Sequence, residues 1–324
     1  TILEARNWTI KDTGLSDDFL SVWQTSINGE SITIPTVEGL TYNYTINWGD
    51  GSAVQSIDSD TSPSHTYSIS GEYTITISGT FPSINFNDGG DKDKIISIPN
   101  LGDVGWTSFS TAFKGCTNLG EVYGGDTSFV TNMREMFNGA SAADPDVSGW
   151  NTSKVTDMYF MFYGATTADP DVSGWNTSNV ETMFSMFNGA TSANPNVRLW
   201  NTSKVTDIEK MFNGAIAANP DTSLWDVGNV IWMEDIFNGS GISDENYSNF
   251  LTMAASTSLQ EDIDIGTSPA KYYANASSAR TTLTDVPASD GLGWTISDSG
   301  TSNDFVSIWE TTTEDETITI PTVG

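Results

Sequence analysis

The chain is poor in cysteine and histidine, and each shortage limits what it can do. Its 324 residues include one cysteine, Cys116, and one histidine, His65. A single cysteine excludes a disulfide within the chain, and because its neighbours offer no base or metal ligand, Cys116 is expected to be a small packing residue. His65 has no recognisable nucleophile as a partner, which favours a structural role over a catalytic one.

Basic residues and long apolar runs are also scarce. Lys and Arg number 12 against 42 Asp and Glu, for a net charge of -30. Such a chain repels phosphate backbones and anionic lipids, so we expect neither nucleic acid nor an inserted membrane segment as a partner. Residues 1–20 lack a basic start followed by an apolar run, which places any secretion signal or anchor outside this segment. Ca²⁺ is the one cofactor that the carboxylates suggest, with a solvated acidic surface as the alternative.

What the chain does have is a repeat of 25 residues, present in four consecutive copies without a gap. A short period of this kind predicts stacked copies of one unit, none of which can bury its apolar face alone. The expected use of such a solenoid is as a surface. The aligned aromatic residues are Trp150, Trp175, Trp200 and Trp225, followed by Phe162, Phe187, Phe212 and Phe237.

Within one copy, the apolar spacing predicts a short strand near Trp150 and Thr152. A short helix over residues 155–165 and a Pro-Asp turn at Pro170 are expected to follow it. The spacing V-x-x-W-x-T-x-x-V is that of a leucine-rich repeat. We therefore expect an α/β solenoid over residues 106–290, whose Trp, Met and Phe columns form the core.

Both ends of this solenoid depart from the repeat. Residues 106–129 fit a degenerate first turn, with Phe113 near the slot of Phe137. After Gly239 the period is lost, and the sequence predicts one helix that begins at Ser243 and another over residues 272–283. We expect these helices to form a C-terminal cap.

The segment before the solenoid, residues 15–105, alternates apolar and polar residues in SITI, YNYTINW and YTITI. This period predicts half-buried strands. The pieces NWGDGS, HTY and GEYTITISG follow one another at residues 47–52, 65–67 and 71–79. In that order they resemble a PKD domain, which is an immunoglobulin-like β-sandwich frequent in extracellular proteins. The predicted fold class is therefore α+β and multidomain.

The repeat W-N-T-S-x-V-T-x-M-x-x-M-F-x-G-A is similar to the BspA-like leucine-rich surface repeats of bacteria. This resemblance implies a large secreted or surface-attached bacterial protein. It also implies adhesion to a protein or glycan on a cell or matrix surface.

A longer repeat joins residues 8–37 to residues 294–323 at an offset of 286, with 18 of these 30 positions identical. This predicts a window of a tandem array. Residues 1–14 would then be the tail of one module and residues 291–324 the start of the next. The alternative is a pair of matching β-elements inside one closed protein.

Two sets of residues are candidate binding sites. In a leucine-rich fold, residues between the buried strand positions face the exposed sheet, where they contact a ligand or stack on one another. Aspartates in the loop before residue 95 and in the Pro-Asp turns either bind calcium or form ordinary solvated turns. The ligand candidates are Asn151, Asn176, Asn201, Asp226, Ser153, Ser178 and Ser203, and the calcium candidates are Asp88, Asp91, Asp93, Asp144, Asp146, Asp169 and Asp171.

Three functions compete at this point, and no catalytic residue is assigned. The first is a non-enzymatic adhesin or stalk module. The second is a filament in which neighbouring copies exchange the strand near residues 318–320. The third, accessory to a polysaccharide-acting enzyme, rests only on abundant carboxylates and on the PKD resemblance.

Overall fold

The computed structural model describes residues 17–257, 260–285 and 291–302. Their structure is mostly β with few helices, and it is dominated by one large open sheet. No helix in these ranges has the length and apolar character needed to cross a bilayer. The strand proposed for exchange near residues 318–320 lies outside the described residues, as does the first of the predicted tails, residues 1–14.

The large sheet has seven strands in the order β4-β3-β6-β1-β7-β8-β9. The predicted strands of residues 15–105 are confirmed, and the central one, β1, pairs antiparallel with both β6 and β7. Beyond β7 the pairing becomes parallel and continues into the first repeats. The strands are β1 Phe19–Thr25, β2 Glu30–Thr33, β3 Asn43–Asn47, β4 Gln55–Ile57, β5 Ser64–Tyr67, β6 Gly71–Thr80, β7 Ile95–Asn100, β8 Glu121–Val122 and β9 Asp144–Pro145.

The second layer over this sheet is small, because only β2 and β5 form it among the described residues. The layers meet at Tyr67, whose hydroxyl donates to the Trp48 carbonyl oxygen at 2.8 Å. Both side chains are fully buried. After Trp48 the chain turns at Gly49, where an added Cβ would overlap the Thr74 carbonyl oxygen. Compared with the predicted β-sandwich, residues 17–105 thus place a sheet of only two strands, β2 and β5, against the large sheet.

From residue 108 onward the chain forms stacked coils. A parallel β-bridge joins each coil to the next, and the bridge residues are 24 or 25 positions apart. The large sheet and the stack of coils share one apolar core, since Trp106 contacts both Phe19 and Phe109. The bridge residues are Ser108, Asn132, Asp157, Thr182, Asp207 and Trp232.

The predicted strand and helix within each repeat are wrong. The bridge lies at Asp157 and not at Trp150 or Thr152, and residues 155–165 contain turns at 159–164 in place of a helix. The N–H of Met161 donates within its coil to Met158, whereas the N–H of Phe160 donates to Phe184 of the next coil. This alternation requires a left-handed φ of 54° at Phe160, which an α-helix cannot contain. The same conformation recurs in the other coils, at Thr111, Glu135, Ser185, Lys210 and Asp235.

The predicted core columns are confirmed as buried. The Phe rings stack from coil to coil with centroids 5.4 to 6.3 Å apart, beginning with Phe113 on Phe137. Each Trp adds a hydrogen bond, as in Trp175, whose Nε1 donates to the Val147 carbonyl oxygen at 3.1 Å. Cys116 is fully buried, and burial raises the pKa of its thiol. Consecutive coils are thus held by both apolar stacking and polar bonds.

Both predicted C-terminal helices are present. The helix α1, Asp244–Thr257, places Phe250 and Tyr247 edge-on against Phe237, the last ring of the Phe column. A 3₁₀ turn at Ala274–Ala276 leads into α2, Ser277–Thr284. The strands β10, Asp264–Thr267, and β11, Thr295–Ser297, pair in parallel beside them. The domain boundaries at residues 105 and 290 stay predictions, although contacts cross both.

Candidate functional site

The predicted ligand ladder lies on a corner of the stack and not on a sheet. Asn151 is exposed, and its Oδ1 accepts a hydrogen bond from the Ser153 N–H at 3.1 Å. Each ladder side chain thus closes the turn of its own coil, which is a structural role. The equivalent bonds are Ser178 N–H to Asn176, Ser203 N–H to Asn201, and Gly228 N–H to Asp226.

Two of the four predicted Pro-Asp carboxylates, Asp146 and Asp171, also serve turns. Asp146 Oδ1 accepts from both the N–H and the hydroxyl of Ser148, at 3.1 and 2.6 Å. Asp171 does the same with Ser173, and these two bonds lower the pKa of Asp171. Asp169 instead accepts from the Asn194 N–H of the next coil at 2.9 Å.

A third corner is closed in the same way, next to the bridge, in coils that have a short polar residue there. Asn132 Oδ1 accepts from the Arg134 N–H, and Asp157 Oδ1 accepts from the Tyr159 N–H, at 2.8 and 2.9 Å. Short polar side chains thus close three corners of a coil. Because their oxygens already accept hydrogen bonds within the chain, they have less capacity to bind an external ligand.

The calcium candidates before β7 are paired with lysines. Lys92 lies 3.3 Å from both Asp88 and Asp93, and Lys94 lies 2.7 Å from Asp91. Asp144, in β9, is exposed and lies apart from them. Within the described ranges, no group of three or more His, Cys, Asp or Glu side chains is placed to hold a metal ion. The geometry therefore offers no support for the calcium prediction.

A recess of about 420 Å³ opens where the large sheet meets the first coils. Carboxylates and glycine backbone line it, including Asp17, Asp103, Asp126 and Asp146. Asp126 and Asp146 already accept hydrogen bonds from Ser128 and Ser148. The recess repels anions and has no basic group among its lining residues.

His65 is part of the packing around the WGDGS turn. Its ring stacks on Trp48 at 5.1 Å, and its Nε2 lies 2.7 Å from Asp50 Oδ2. Hydrogen bonds from Ser52 and then from His65 hold the pKa of Asp50 well below its ordinary value. This arrangement agrees with the structural role expected of His65.

A cluster of surface aromatics is the feature that the repeat pattern does not explain. We call Tyr159, Phe160, Tyr163 and Phe184 the aromatic cluster. Tyr159 stacks on Phe184 of the next coil, with centroids 4.8 Å apart and ring planes 12° from parallel. Phe160 meets Tyr163 and Phe184 edge-on at 4.8 and 5.1 Å. Tyr163 is 40% exposed and the other three are half-buried.

A guanidinium extends the stack by one more coil. Arg134 belongs to the coil before Tyr159, and its Cζ lies 3.8 Å from the centroid of the Tyr159 ring. Phe184, which stacks on the same ring, belongs to the coil after it. Arg134 also lies 3.4 Å from Glu135, which binds Lys114. Asp157 lies 3.9 Å from Arg134 as well. Two basic and two acidic groups thus form a balanced ion-pair network beside the Tyr159 end of the cluster, in a chain of net charge -30.

The aromatic cluster was missed because it lies in variable columns of the repeat. Where one copy has Tyr159, Phe160 and Tyr163, a later copy has Glu209, Lys210 and Asn213. The fold therefore accepts charged and polar residues at these positions and does not need aromatics there. A comparison of the columns that differ between copies, in place of those that agree, would have found the cluster.

The comparisons with known proteins concern the coils. Residues 107–202 and 170–261 match the family model described as "Mycoplasma protein of unknown function, DUF285". This domain is found in BspA-like surface repeat proteins. No curated protein and no solved structure matches the chain.

Proposed function

We propose that the chain is a non-enzymatic module of a large bacterial surface or secreted protein, and that it adheres to a protein partner through the aromatic cluster. In this proposal the stacked coils are a solenoid and residues 15–105 are a PKD-like module that supports them. The family match over the coils supports the surface-repeat part of the proposal. Calcium has no part in it.

The observation that carries the proposal is the departure from repeat symmetry at the aromatic cluster. Residues that every copy shares are explained by the fold, because they fill the core or close corners. Exposed Tyr163 and its half-buried neighbours have no such role. Aromatic residues and arginine dominate the energetics of protein interfaces, and the balanced ion-pair network beside Tyr159 spares a partner the cost of burying an unpaired charge. These properties favour a protein partner over an anionic glycan.

The test uses a triple variant that copies residues from another coil. Tyr159→Glu, Phe160→Lys and Tyr163→Asn reproduce the side chains of Glu209, Lys210 and Asn213, so the stack should keep its melting temperature. Leu199→Ser is the matched control, because it removes a 75% exposed apolar side chain from another part of the surface. Both variants are compared with the wild-type chain.

The probe is a decellularised animal extracellular matrix, intact or stripped of its glycans by enzymes. We expect the wild-type chain and the control to bind both matrices, and the triple variant to bind at least about tenfold more weakly, as the loss of an interface hot spot predicts. Binding that disappears with the glycans would replace the protein partner with a glycan. Equal binding by the triple variant, or no binding by the wild-type chain, would refute the proposal.

A further inference from the structure

Residues 294–300, which the sequence relates to the start of another module, are packed into the C-terminal end of this one. We call them the joint segment. Trp294 is 3% exposed, and its Nε1 donates to the Gln260 carbonyl oxygen at 2.9 Å. Its backbone N–H donates to Leu283 of α2 at 2.7 Å. The next three residues, Thr295–Ser297, form the strand β11, which pairs in parallel with β10.

The joint segment also provides a buried carboxylate. The side chain of Asp298 is 3% exposed, and its Oδ2 lies 2.7 Å from Arg280 Nε and 3.2 Å from the Tyr247 hydroxyl. Its Oδ1 accepts the Gly300 N–H at 3.1 Å. This buried ion pair makes the contact specific for an aspartate at this position, because loss of either Asp298 or Arg280 would leave the other charge buried and uncompensated. We call the surface that receives the joint segment, formed by β10, α1 and α2, the C-terminal slot.

The sequence of residues 8–14 matches the joint segment at the positions that contact the C-terminal slot. The two sequences are WTIKDTG and WTISDSG. The residues that enter the C-terminal slot, Trp294, Ile296 and Asp298, are identical to Trp8, Ile10 and Asp12. The two positions that differ are those of Ser297 and Ser299, and both are exposed. Strand pairing uses backbone atoms, so the differences do not affect it.

We propose that residues 8–14 of one copy fit the C-terminal slot of another, so that this heptapeptide is the joint between consecutive units. The proposal deepens the proposed function, since it states how modules of a surface array would connect. Each unit would be closed by the first residues of the next. Consecutive units would then share a folded junction in place of a free linker.

The geometry makes this contact one between units. Asp17 lies at the sheet end of the stack, where its carbonyl oxygen accepts the Asp103 N–H. Asp17 also lines the recess beside Trp150, whose ring packs on Phe137, and the C-terminal slot lies four ring-to-ring steps of 5.4 to 6.3 Å beyond Phe137. Three residues separate Gly14 from Asp17 and span at most about 11 Å. Asp17 would have to lie within about 11 Å of the end of the C-terminal slot if the occupant belonged to the same unit, and it lies farther away than that.

The first test converts the joint segment into its relative. Ser297→Lys with Ser299→Thr gives residues 294–300 the sequence WTIKDTG. We expect the melting temperature to stay within about 2 °C of the wild type, because only exposed side chains change. A matched control, Ile296→Lys, should lower it clearly. If the conversion destabilises the chain as much as the control does, the two heptapeptides are not equivalent and the proposal fails.

The second test empties the slot. Trp294→Gly, Ile296→Ser and Asp298→Ala together remove the joint side chains, so residues 8–14 of another copy can enter. We expect concentration-dependent, head-to-tail oligomers in sedimentation velocity, and their loss when Trp8→Gly, Ile10→Ser and Asp12→Ala are added. The wild-type chain should remain monomeric, because its own joint segment has a far higher effective concentration.

Synthetic peptides provide the readout if the emptied variant assembles poorly. Peptides of residues 294–300 and 8–14 should both raise its melting temperature, and a scrambled peptide should not. A monomeric variant that the first peptide stabilises and the second does not would overturn the proposal. None of these measurements involves the extracellular matrix, so a failure here is distinct from a failure of the adhesion proposal.

Discussion

The Thr202 hydroxyl binds both backbone polar groups of Asp226 in the next coil. It donates to the carbonyl oxygen and accepts from the N–H, at 2.8 Å in each case. Thr127 binds Asn151 in the same two ways, and the hydroxyls of Thr152 and Thr177 donate to the carbonyl oxygens of Asn176 and Asn201. A threonine column therefore carries a chain of polar bonds along the stack, inside the core.

Thr202→Val should destabilise the chain by about 1 to 3 kcal/mol. Thr202 is 2% exposed, and the substitution removes the hydroxyl that pairs with both the N–H and the carbonyl oxygen of Asp226. Urea unfolding followed by tryptophan fluorescence measures the change. Thr156→Val is the control, because the Thr156 hydroxyl is exposed and makes only a 3.4 Å bond, and it should change stability by less than about 0.5 kcal/mol.

Thr222→Val should stabilise the chain, in contrast to Thr202→Val. Thr222 is fully buried, and among the described residues its hydroxyl has no hydrogen-bond partner. The other copies have Val147, Val172 and Val197 in this position, so the slot already suits a valine. We expect a gain of about 1 kcal/mol in the free energy of unfolding, since the cost of burying an unpaired hydroxyl is removed. A loss of stability would mean that the hydroxyl has a partner after all.

Phe187→Ala should be the most damaging single change in the stack. The Phe187 ring is fully buried between Phe162 and Phe212, at centroid distances of 5.4 and 5.8 Å. Its removal leaves a cavity that two coils share, with an expected cost of about 3 to 5 kcal/mol. Phe129→Ala removes the same ring from a 58% exposed position and serves as the control in thermal unfolding. Similar costs at the two sites would contradict the assignment of the Phe column to the core.

Acid should weaken the sheet domain through Asp50. Its pKa is lowered in the folded state by hydrogen bonds from Ser52 and from His65, against an ordinary value of 3.8. A lowered pKa stabilises the fold above pH 3.8, and this contribution is lost as the pH falls below that value. Asp50→Asn should therefore flatten the fall in melting temperature between about pH 4 and pH 2. An unchanged slope in the variant would show that other carboxylates govern acid unfolding.

The sequence predicted the core of the stack far better than its backbone. The period placed Trp175, Phe187 and their equivalents inside the fold, because apolar residues at fixed intervals must share one interior. The same spacing suits a helix and the alternating turns that are found, and only the left-handed φ at Phe160 separates them. That conformation has no marker in the sequence, since the residue there differs from copy to copy.

The surfaces were predicted less well, for a related reason. The ladder of Asn151, Asn176 and Asn201 drew attention because its members are identical, and that identity reflects a turn that every coil must close. The aromatic cluster is confined to neighbouring coils and has no period. In a repeat, the shared residues report on the fold, whereas a departure such as Tyr163 is a better indicator of binding.

The closure of each coil by its own short side chains has a genetic consequence. Asp146 and Asn151 complete their turns with Ser148 and Ser153 of the same copy, and the contact between successive coils is alike along the stack. Unequal recombination that adds or deletes one repeat's worth of codons would therefore leave these turns and the parallel bridges between coils intact. Each added or deleted coil would change the length of the stack by about 5 Å at little cost to folding.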